Sequence, residues 1–181
     1  MEKKQTVSDF LLDRLSAWGV TRIYGYPGDG INPIIGALRR AGDRFQFVQA
    51  AHEEQAALMA CAHAKYSGQL GVVLATQGPG AIHILNGLYD AKLDHQPVLA
   101  IVGQPSSISL GSSFQQEIDL VSLFKDVAHE YVQQVSTPSR CATRSTAPPA
   151  WPSPSGPSPA SSSTTTCSGR TPRPSRPTST G

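Results

Sequence analysis

The chain has 181 residues, 39% of them hydrophobic and 15% charged, with a formal net charge of +2. This length suits one domain with a buried core, and no apolar run approaches the roughly 20 residues that a membrane-spanning helix needs. The N-terminal stretch MEKKQTVSDF lacks the apolar segment of a signal peptide, and Cys61, Cys141 and Cys167 show neither metal nor redox spacing, so we expect a soluble cytoplasmic protein without a disulfide framework.

Residues 6–135 alternate between helical and strand patterns. The predicted elements are a helix at 8–19 with Ser8 or Thr6 as its N-cap, a strand at 21–26, a helix at 31–42, a strand at 44–50, a helix at 53–68, a strand at 70–76, a helix at 80–94 and a strand at 97–103. The strand at 70–76 is almost continuously apolar, which is typical of a strand buried on both faces. The alternation predicts an α/β fold, a doubly wound parallel sheet with helices on both faces.

The composition changes near residue 140. No Leu, Ile, Val, Phe or Met follows Val135, and nine of the fifteen prolines lie from Pro148 onward. Such a segment cannot bury enough apolar surface to offset its ordering entropy. We therefore expect a domain at 1–140 that is incomplete at its C-terminal end, followed at 141–181 by a disordered low-complexity tail rich in Pro, Ser, Thr and Arg.

The tail has two candidate origins and an excess of basic residues. It is either an evolved Pro/Ser segment or the product of a reading-frame shift, and we favour the frame shift. One choice of codons for residues 145–163, read in another frame, encodes an amphipathic helix pattern followed by a strand. The stretch 139–181 carries five Arg and no acid, against ten Lys and Arg and thirteen acids in 1–138. It lacks the interleaved aromatics of a nucleic-acid stacking surface, so no nucleic-acid partner is expected.

Four motifs follow the predicted strands, at the carboxyl ends where ligands bind in open α/β sheets. They are GYPGDG at 25–30, HEE at 52–54, TQGPGAIHILNG at 76–87 and GQPSS at 103–107, which leads to FQQEIDLVSLFKD at 114–126. Each also has a purely structural interpretation, since a Pro-Gly pair is first of all a turn. His52 and His83 stand singly and are more often structural, His63 is predicted to face out of its helix, and no Cys/His cluster predicts a metal.

Together these motifs resemble the N-terminal pyrimidine-binding domain of thiamine-diphosphate enzymes, in the branch of acetolactate synthase, pyruvate oxidase and the quinone-linked pyruvate dehydrogenase. The resemblance implies thiamine diphosphate as a cofactor, bound by its pyrimidine end, in an enzyme that decarboxylates pyruvate or a related 2-oxo acid. The stretch NGLYDAKLDHQPVLAIVGQ at 86–104 favours the pyruvate oxidase or quinone-linked type. An acetolactate synthase fragment and a non-catalytic α/β binding module remain the alternatives.

The resemblance also implies roles for individual residues. Glu53 takes the place of the catalytic carboxylate that contacts the aminopyrimidine ring, and a carboxylate in an apolar pocket can share a proton with that ring. Glu54 is then an ordinary helix-entry acid. The implied cofactor-binding residues are Tyr26, Pro27, Gly28, Glu53, Thr76, Gly78, Pro79, Gly80 and His83. Phe114 is implied on the substrate side together with Gln115 or Gln116, because FQQE has an additional Gln that leaves both open.

Metal, flavin and partner are implied to lie outside this chain. In the family the diphosphate and Mg²⁺ bind a separate domain, and FAD binds another. In the family, the metal motif is Gly-Asp-Gly followed some tens of residues later by Asn. The GDG at 28–30 resembles the first half of this motif, but Asn32 is too near to it and Asn86 too far from it. No metal-binding residue is therefore predicted. The family's active site forms against the diphosphate-binding domain of a second subunit in a homo-oligomer. This chain alone is therefore expected to be inactive.

Overall fold

The computed structural model describes residues 5–106, 108–128, 131–135 and 163–168. Within these ranges the strands are β1 (Arg22–Gly25), β2 (Gln46–Gln49), β3 (Gly71–Ala75), β4 (Val98–Gln104), β5 (Val132–Val135) and β6 (Ser163–Ser168). The helices are α1 (Val7–Ala17), α2 (Asn32–Ala41), α3 (Glu53–Ser67), α4 (Pro79–His83), α5 (Leu85–Leu93) and α6 (Leu120–Phe124), with 3₁₀ turns at Asp29–Ile31 and Gly42–Arg44. None of the helices in the described ranges has the length and apolar character needed to cross a bilayer.

The strands form one sheet in the order β2-β1-β3-β4-β6-β5, and every neighbouring pair is parallel. Tyr24 at the centre of β1 pairs with Val48 of β2 and Val73 of β3, and Val73 pairs in turn with Ala100 of β4. Because the strands are parallel, their carboxyl ends meet at one edge of the sheet. The predicted α/β class with a parallel sheet is confirmed.

Two hydrophobic layers cover the two faces of the sheet. Successive side chains of a strand point to opposite faces, so alternate residues of β1, β3 and β4 serve different layers. One layer packs α1 and α2 on the sheet through Leu12, Leu15, Ile34, Ile23, Val72, Leu74 and Ile101. The other packs α3, α5 and α6 through Ala57, Ala60, Leu88, Phe124, Val73, Ala100 and Val102. The predicted placement of helices on both faces is therefore confirmed.

A capping box begins α1. The Thr6 hydroxyl accepts a hydrogen bond from the Asp9 amide at 3.1 Å, and the Asp9 carboxylate accepts one from the Thr6 amide at 3.2 Å. Of the two predicted N-caps, Thr6 is thus the one used, and Ser8 lies buried within the helix. Asp9 also pairs with Arg40 of α2 at 2.7 Å. The same carboxylate therefore caps the N-terminus of α1 and joins this helix to α2.

Replacing Asp9 by Asn is expected to lower stability at neutral pH and to change it little in acid. Burial would raise the pKa of Asp9, but hydrogen bonds from Thr6 and Arg40 outweigh it and hold that pKa below its ordinary value. A carboxyl with a lowered folded-state pKa stabilises the protein above its unfolded pKa, and this contribution is lost as the pH falls through the folded-state pKa. Urea unfolding at neutral pH and near pH 2 measures the free energy of unfolding in the two conditions. An Asp9→Asn deficit of equal size at the two pH values would contradict the assignment, and exposed Asp43→Asn serves as the control.

The alanine-rich helix α3 packs very closely on α5 and β3. Ala56, Ala57 and Ala60 are completely buried. A Cβ built on Gly87 of α5 would stand 2.6 Å from the Cβ of Ala57, and one on Gly71 of β3 would stand 2.1 Å from the carbonyl oxygen of Ala60. Small residues on both sides of these contacts let the backbones approach.

A charged network closes the other end of the α3–α5 contact. The Lys65 ammonium lies 2.9 Å from a carboxylate oxygen of Asp90 and 2.6 Å from one of Asp94. The Cys61 thiol donates to Asp90 at 3.1 Å. Burial, followed by this hydrogen bond to Asp90, raises the pKa of Cys61 to about 12. Cys61 is therefore a structural thiol held in its protonated form.

Cys61 is expected to resist alkylation in the folded protein. The thiolate is the nucleophile, and with a pKa of about 12 its share at pH 8 is only about 10⁻⁴. Mass-spectrometric mapping after iodoacetamide treatment should find the Cys61 peptide unmodified until denaturant is added. Rapid labelling of Cys61 in the native protein, at the rate seen in denaturant, would contradict this environment.

The helix predicted at 80–94 is two helices, α4 and α5, divided at Ile84. Ile84 keeps right-handed helical dihedrals, with φ −74° and ψ −12°, so the interruption is local. Helix α4 begins at Pro79, one residue earlier than predicted. Proline is tolerated there because the first helical N–H needs no partner.

Three described elements were not predicted. Helix α6 has only five residues and is capped by Asp119, and β5, VQQV, is short and half polar. Strand β6, STTTCS, lies inside the segment predicted to be a disordered tail. Threonine favours extended backbone, and a strand with a neighbour on each side gains two sets of backbone hydrogen bonds. The rest of 141–181 lies outside the described residues, and the frame-shift hypothesis is untested.

Candidate functional site

The carboxyl ends of β1, β2 and β3 bring three of the predicted motifs together. Glu53 opens α3 just after β2, and it lies beside Gly80 and His83 of α4, which follow β3. Gly28, in the loop after β1, contacts Thr76 at the end of β3. The sheet therefore collects into one region residues that are far apart in the sequence.

Glu53 is the buried acid of this region. It is only 8% exposed, whereas its neighbour Glu54 is partly exposed. One carboxylate oxygen, Oε2, lies 3.0 Å from Nδ1 of His83. The other, Oε1, lies 3.3 Å from where a Cβ on Gly80 would stand. A buried carboxylate is costly without partners, and here one oxygen has a partner while the other faces a glycine.

His52 and His83 form a pair across this carboxylate. Their ring centroids are 4.4 Å apart, and one ligand atom from each of His52, Glu53 and His83 lies within 4.8 Å of the other two. His52 also caps α3, because its Nδ1 accepts the Glu54 N–H at 3.2 Å. The sequence treats both histidines as single residues, and only the fold shows that they meet.

His63 does not face freely outward as predicted. Its Nδ1 lies 3.3 Å from the hydroxyl of Tyr24 on β1. Burial, followed by the charge of Arg22, lowers the pKa of His63. That prediction was wrong because α3 lies flat on β1 at this point, which makes the histidine a structural contact.

Thr76 joins the loop after β1 to the turn after β3. Its hydroxyl accepts the Gly30 N–H at 3.2 Å. A Cβ on Gly28 would stand 2.6 Å from the Thr76 Cβ, and one on Gly80 would stand 2.8 Å from its Cγ2. Glycine at these two positions therefore leaves room for Thr76 beside Glu53. Tyr26 and Pro27, from the same loop after β1, are exposed.

Gln116, rather than Gln115, packs against the turn after β3. A Cβ on Gly78 would stand 2.7 Å from that of Gln116, and Gly78 itself has φ +61°. Gln115 and Phe114 are exposed. Phe114 lines a groove of about 610 Å³ together with Gln104, Leu110, Gly111, Ser113, Glu117, Ile118, Asp119 and Gln134. Of the two glutamines that the sequence left open, Gln116 is the one in contact with the turn.

Two glutamines that the sequence did not single out also belong to this edge. Gln77 is 6% exposed, and its Oε1 is a buried acceptor without a partner among the described residues, as is Oε1 of Gln104. Both line a cavity of about 230 Å³ that also contacts Phe114. Their position at the carboxyl ends of β3 and β4 was the available signal, because TQGPG and GQPSS were both placed at strand ends.

Glu54 has a structural partner. It accepts a hydrogen bond from the Asn86 side-chain amide, which links the start of α3 to α5. Asp29, in the GDG stretch, is exposed and accepts the Gly30 N–H at 2.9 Å. Neither carboxylate contributes to the His52, Glu53 and His83 group.

The N-terminal two thirds of the chain are similar to known proteins. The family described as thiamine pyrophosphate enzyme, N-terminal TPP binding domain, matches residues 5–123. The chain is 51% identical over 124 residues to a putative thiamine pyrophosphate-containing protein of Bacillus subtilis, YdaP, covering 68% of this chain and 22% of that protein. It is 43% identical over 122 residues to pyruvate oxidase of Lactiplantibacillus plantarum, covering 67% and 20%.

A third relative belongs to another enzyme of the same group. The chain is 40% identical over 116 residues to the large subunit of acetolactate synthase isozyme 2 of Escherichia coli, covering 64% of this chain and 21% of that subunit. The chain thus spans about a fifth of the length of these curated relatives.

Proposed function

The chain belongs to the thiamine pyrophosphate enzymes, as their N-terminal TPP binding domain, and on this basis we propose that the region around Glu53 binds the pyrimidine end of thiamine diphosphate. The larger enzyme of which this chain would be a part decarboxylates pyruvate or a related 2-oxo acid. The observation that supports this proposal most directly is the buried Glu53 carboxylate, which contacts His83 on one side and faces Gly80 on the other.

The residues present fit an aminopyrimidine. Gly28 and Gly80 leave room for Thr76 beside the Glu53 carboxylate. Gln77 and Gln104 present buried oxygens without partners among the described residues, and a ligand with amino hydrogens would satisfy such acceptors. The side chains proposed to contact the pyrimidine are those that the resemblance implies, with Gln77 and Gln104 in addition.

Thiamine diphosphate, when bound, supplies the nucleophilic carbon and the electron sink for decarboxylation. The role of Glu53 is to exchange a proton with a pyrimidine nitrogen, as a positioned carboxyl group does in general acid–base catalysis. His83 fixes the orientation of that carboxylate through its Nδ1 at 3.0 Å. Thr76 fixes the loop after β1, so the walls of the site keep their shape.

The finer assignments belong to the same proposal. We assign the enzyme to the pyruvate oxidase or quinone-linked type, supported by the stretch at 86–104 and by the 43% identity to a pyruvate oxidase. Acetolactate synthase is the second candidate, with 40% identity. The diphosphate-binding domain of a second subunit would complete the site in a homo-oligomer, and Mg²⁺ and FAD would bind outside this chain. Residues 1–140 would form the binding domain, with 141–181 as a frame-shifted tail.

Amide chemical shifts of the ¹⁵N-labelled chain test the binding proposal. Thiamine should move the amides of Thr76, Gly78 and Gly80, because the pyrimidine carries the contacts made here. Thiamine diphosphate should bind this chain with an affinity within about threefold of thiamine, since its diphosphate is held elsewhere. Inorganic pyrophosphate is the matched control and should leave these amides in place.

Two outcomes would overturn the proposal. Pyrophosphate that shifts the same amides as thiamine would mark a phosphate site instead. An absence of response to thiamine, with or without a diphosphate-binding domain of a relative, would favour the non-catalytic binding module.

A further inference from the structure

Two imidazoles and one carboxylate converge where α3 begins. One ligand atom from each of His52, Glu53 and His83 lies within 4.8 Å of the other two. In a tetrahedral site with metal–ligand bonds of about 2.0–2.1 Å, neighbouring ligand atoms stand about 3.3 Å apart. Glu53 Oε2 and His83 Nδ1 are already 3.0 Å apart. To form the site, it is therefore mainly the His52 ring that has to move closer to the other two ligands.

The two histidines differ from Glu53 in their freedom to move. The side chain of His83 is 40% exposed and that of Glu53 only 11%, and His52 lies at the surface. Rotation of an exposed imidazole about its χ angles can therefore close the site on a fixed carboxylate. The exposure also leaves a position open to water, which supplies the fourth ligand in sites with three protein ligands.

Metal binding gives up local hydrogen bonds. His52 Nδ1 accepts the Glu54 N–H. A metal at Nδ1 would take the lone pair of this bond, and a metal at Nε2 would move the ring hydrogen to Nδ1, so either mode gives up the helix cap. A metal between His83 Nδ1 and Glu53 Oε2 also displaces the hydrogen bond between them. Two hydrogen bonds are therefore exchanged for coordination bonds, while the adjacent carboxylate of Glu54 adds favourable negative charge.

The ligand types select the metal. Two imidazole nitrogens and one carboxylate suit Zn²⁺, Ni²⁺ or Cu²⁺. Mg²⁺ prefers octahedral oxygen and keeps most of its water. The group is therefore distinct in its chemistry from a magnesium–diphosphate site.

We propose that His52, Glu53 and His83 form a site for a divalent transition-metal ion, with Zn²⁺ as its natural probe. An ion bound there occupies the carboxylate that the pyrimidine of thiamine diphosphate needs, so it excludes the cofactor; this second part rests on the proposed function. The site is thus an inhibitory one, in which free zinc sets the fraction of chains able to bind cofactor.

Calorimetric titration of the 181-residue chain with ZnCl₂ at neutral pH tests the site. The expected result is one zinc per chain and no heat with MgCl₂. His52→Asn and His83→Asn should each weaken zinc binding at least tenfold; asparagine at 52 retains an acceptor able to cap α3. His95→Asn is the matched control, because His95 is exposed with φ +56°, a conformation that asparagine tolerates, and it should leave zinc binding unchanged.

Zinc affinity that is unchanged in both site variants would overturn the metal site, as would magnesium binding of equal strength. The amide chemical shifts that thiamine causes, measured with and without saturating zinc, test whether zinc and thiamine compete for the site. Thiamine that binds equally well in both conditions would overturn the exclusion. A zinc site that behaves as expected, in a chain that never binds thiamine, would refute the proposed function and leave the metal site standing.

Discussion

Replacing Glu53 by Gln is expected to slow proton loss from the thiazolium carbon of bound thiamine diphosphate by about 10²–10⁴-fold, the usual contribution of a positioned acid or base. Glutamine keeps the shape and can still bond to His83, but it has no proton to exchange. Cofactor affinity should fall much less, because under the proposed function the diphosphate would be anchored outside this chain. Hydrogen–deuterium exchange at that carbon measures the effect, with residues 5–123 grafted in place of the matching segment of the Lactiplantibacillus plantarum pyruvate oxidase.

Glu54→Gln is the matched control in the same graft. Glutamine retains an oxygen for the Asn86 amide, and the change removes only a helix-end charge worth about 0.3–1 kcal/mol of stability. Exchange should stay within about twofold of the unmutated graft. Slow exchange in Glu54→Gln with normal exchange in Glu53→Gln would shift the catalytic role by one residue. Normal exchange in both would remove the carboxylate mechanism from this segment.

Gly87→Ala is expected to destabilise the fold by about 1–3 kcal/mol, the typical cost of overpacking. Its Cβ would stand 2.6 Å from the Cβ of Ala57 and 2.7 Å from the Leu58 backbone nitrogen. Backbone atoms of α3 cannot yield as a flexible side chain can, so α5 would have to move away from α3. Urea unfolding of the chain measures the loss.

Gly36→Ala in α2 makes the same chemical change without the contact. Only the Arg40 guanidinium lies near, 3.5 Å from the Cβ position. Alanine should there stabilise the helix by up to about 1 kcal/mol, because glycine costs more backbone entropy. The two variants should thus shift the urea midpoint of unfolding in opposite directions. A shift of the same sign in both would contradict the close packing of α3 on α5.

The layered fold could be predicted because its signal is local. The apolar run in β3 is buried at every position, and Gly42 and Gly68 follow the last helical residues of α2 and α3, as helix stops do. The division of the predicted helix into α4 and α5 at Ile84 could not be predicted, because it depends on the backbone hydrogen bonds of a single helical turn. Strand β6 was missed because its polar composition argues against a strand, whereas a place between two neighbours favours one.

The site was only partly accessible from the sequence. Glu53 could be singled out, because HEE stands at a strand end and resembles a known motif. The pairing of His52 with His83 could not, since 31 positions separate them and only the sheet order brings α3 and α4 together. The oxygens of Gln77 and Gln104, which have no partner within the described ranges, could not be identified either. Whether a buried group lacks a partner depends on every neighbour in the fold.

The position of β6 sets the order in which the sheet can be completed during synthesis. Strand β5 has β6 as its neighbour in the sheet, with Val132 opposite Thr164, and Leu99 of β4 lies opposite Ser163. The ribosome therefore makes β4 and β5 long before the strand that joins them. Contacts between distant segments form late because loop closure costs entropy. Until Ser163 has been made, the edge of β4 that faces β6 lacks its hydrogen-bonding neighbour.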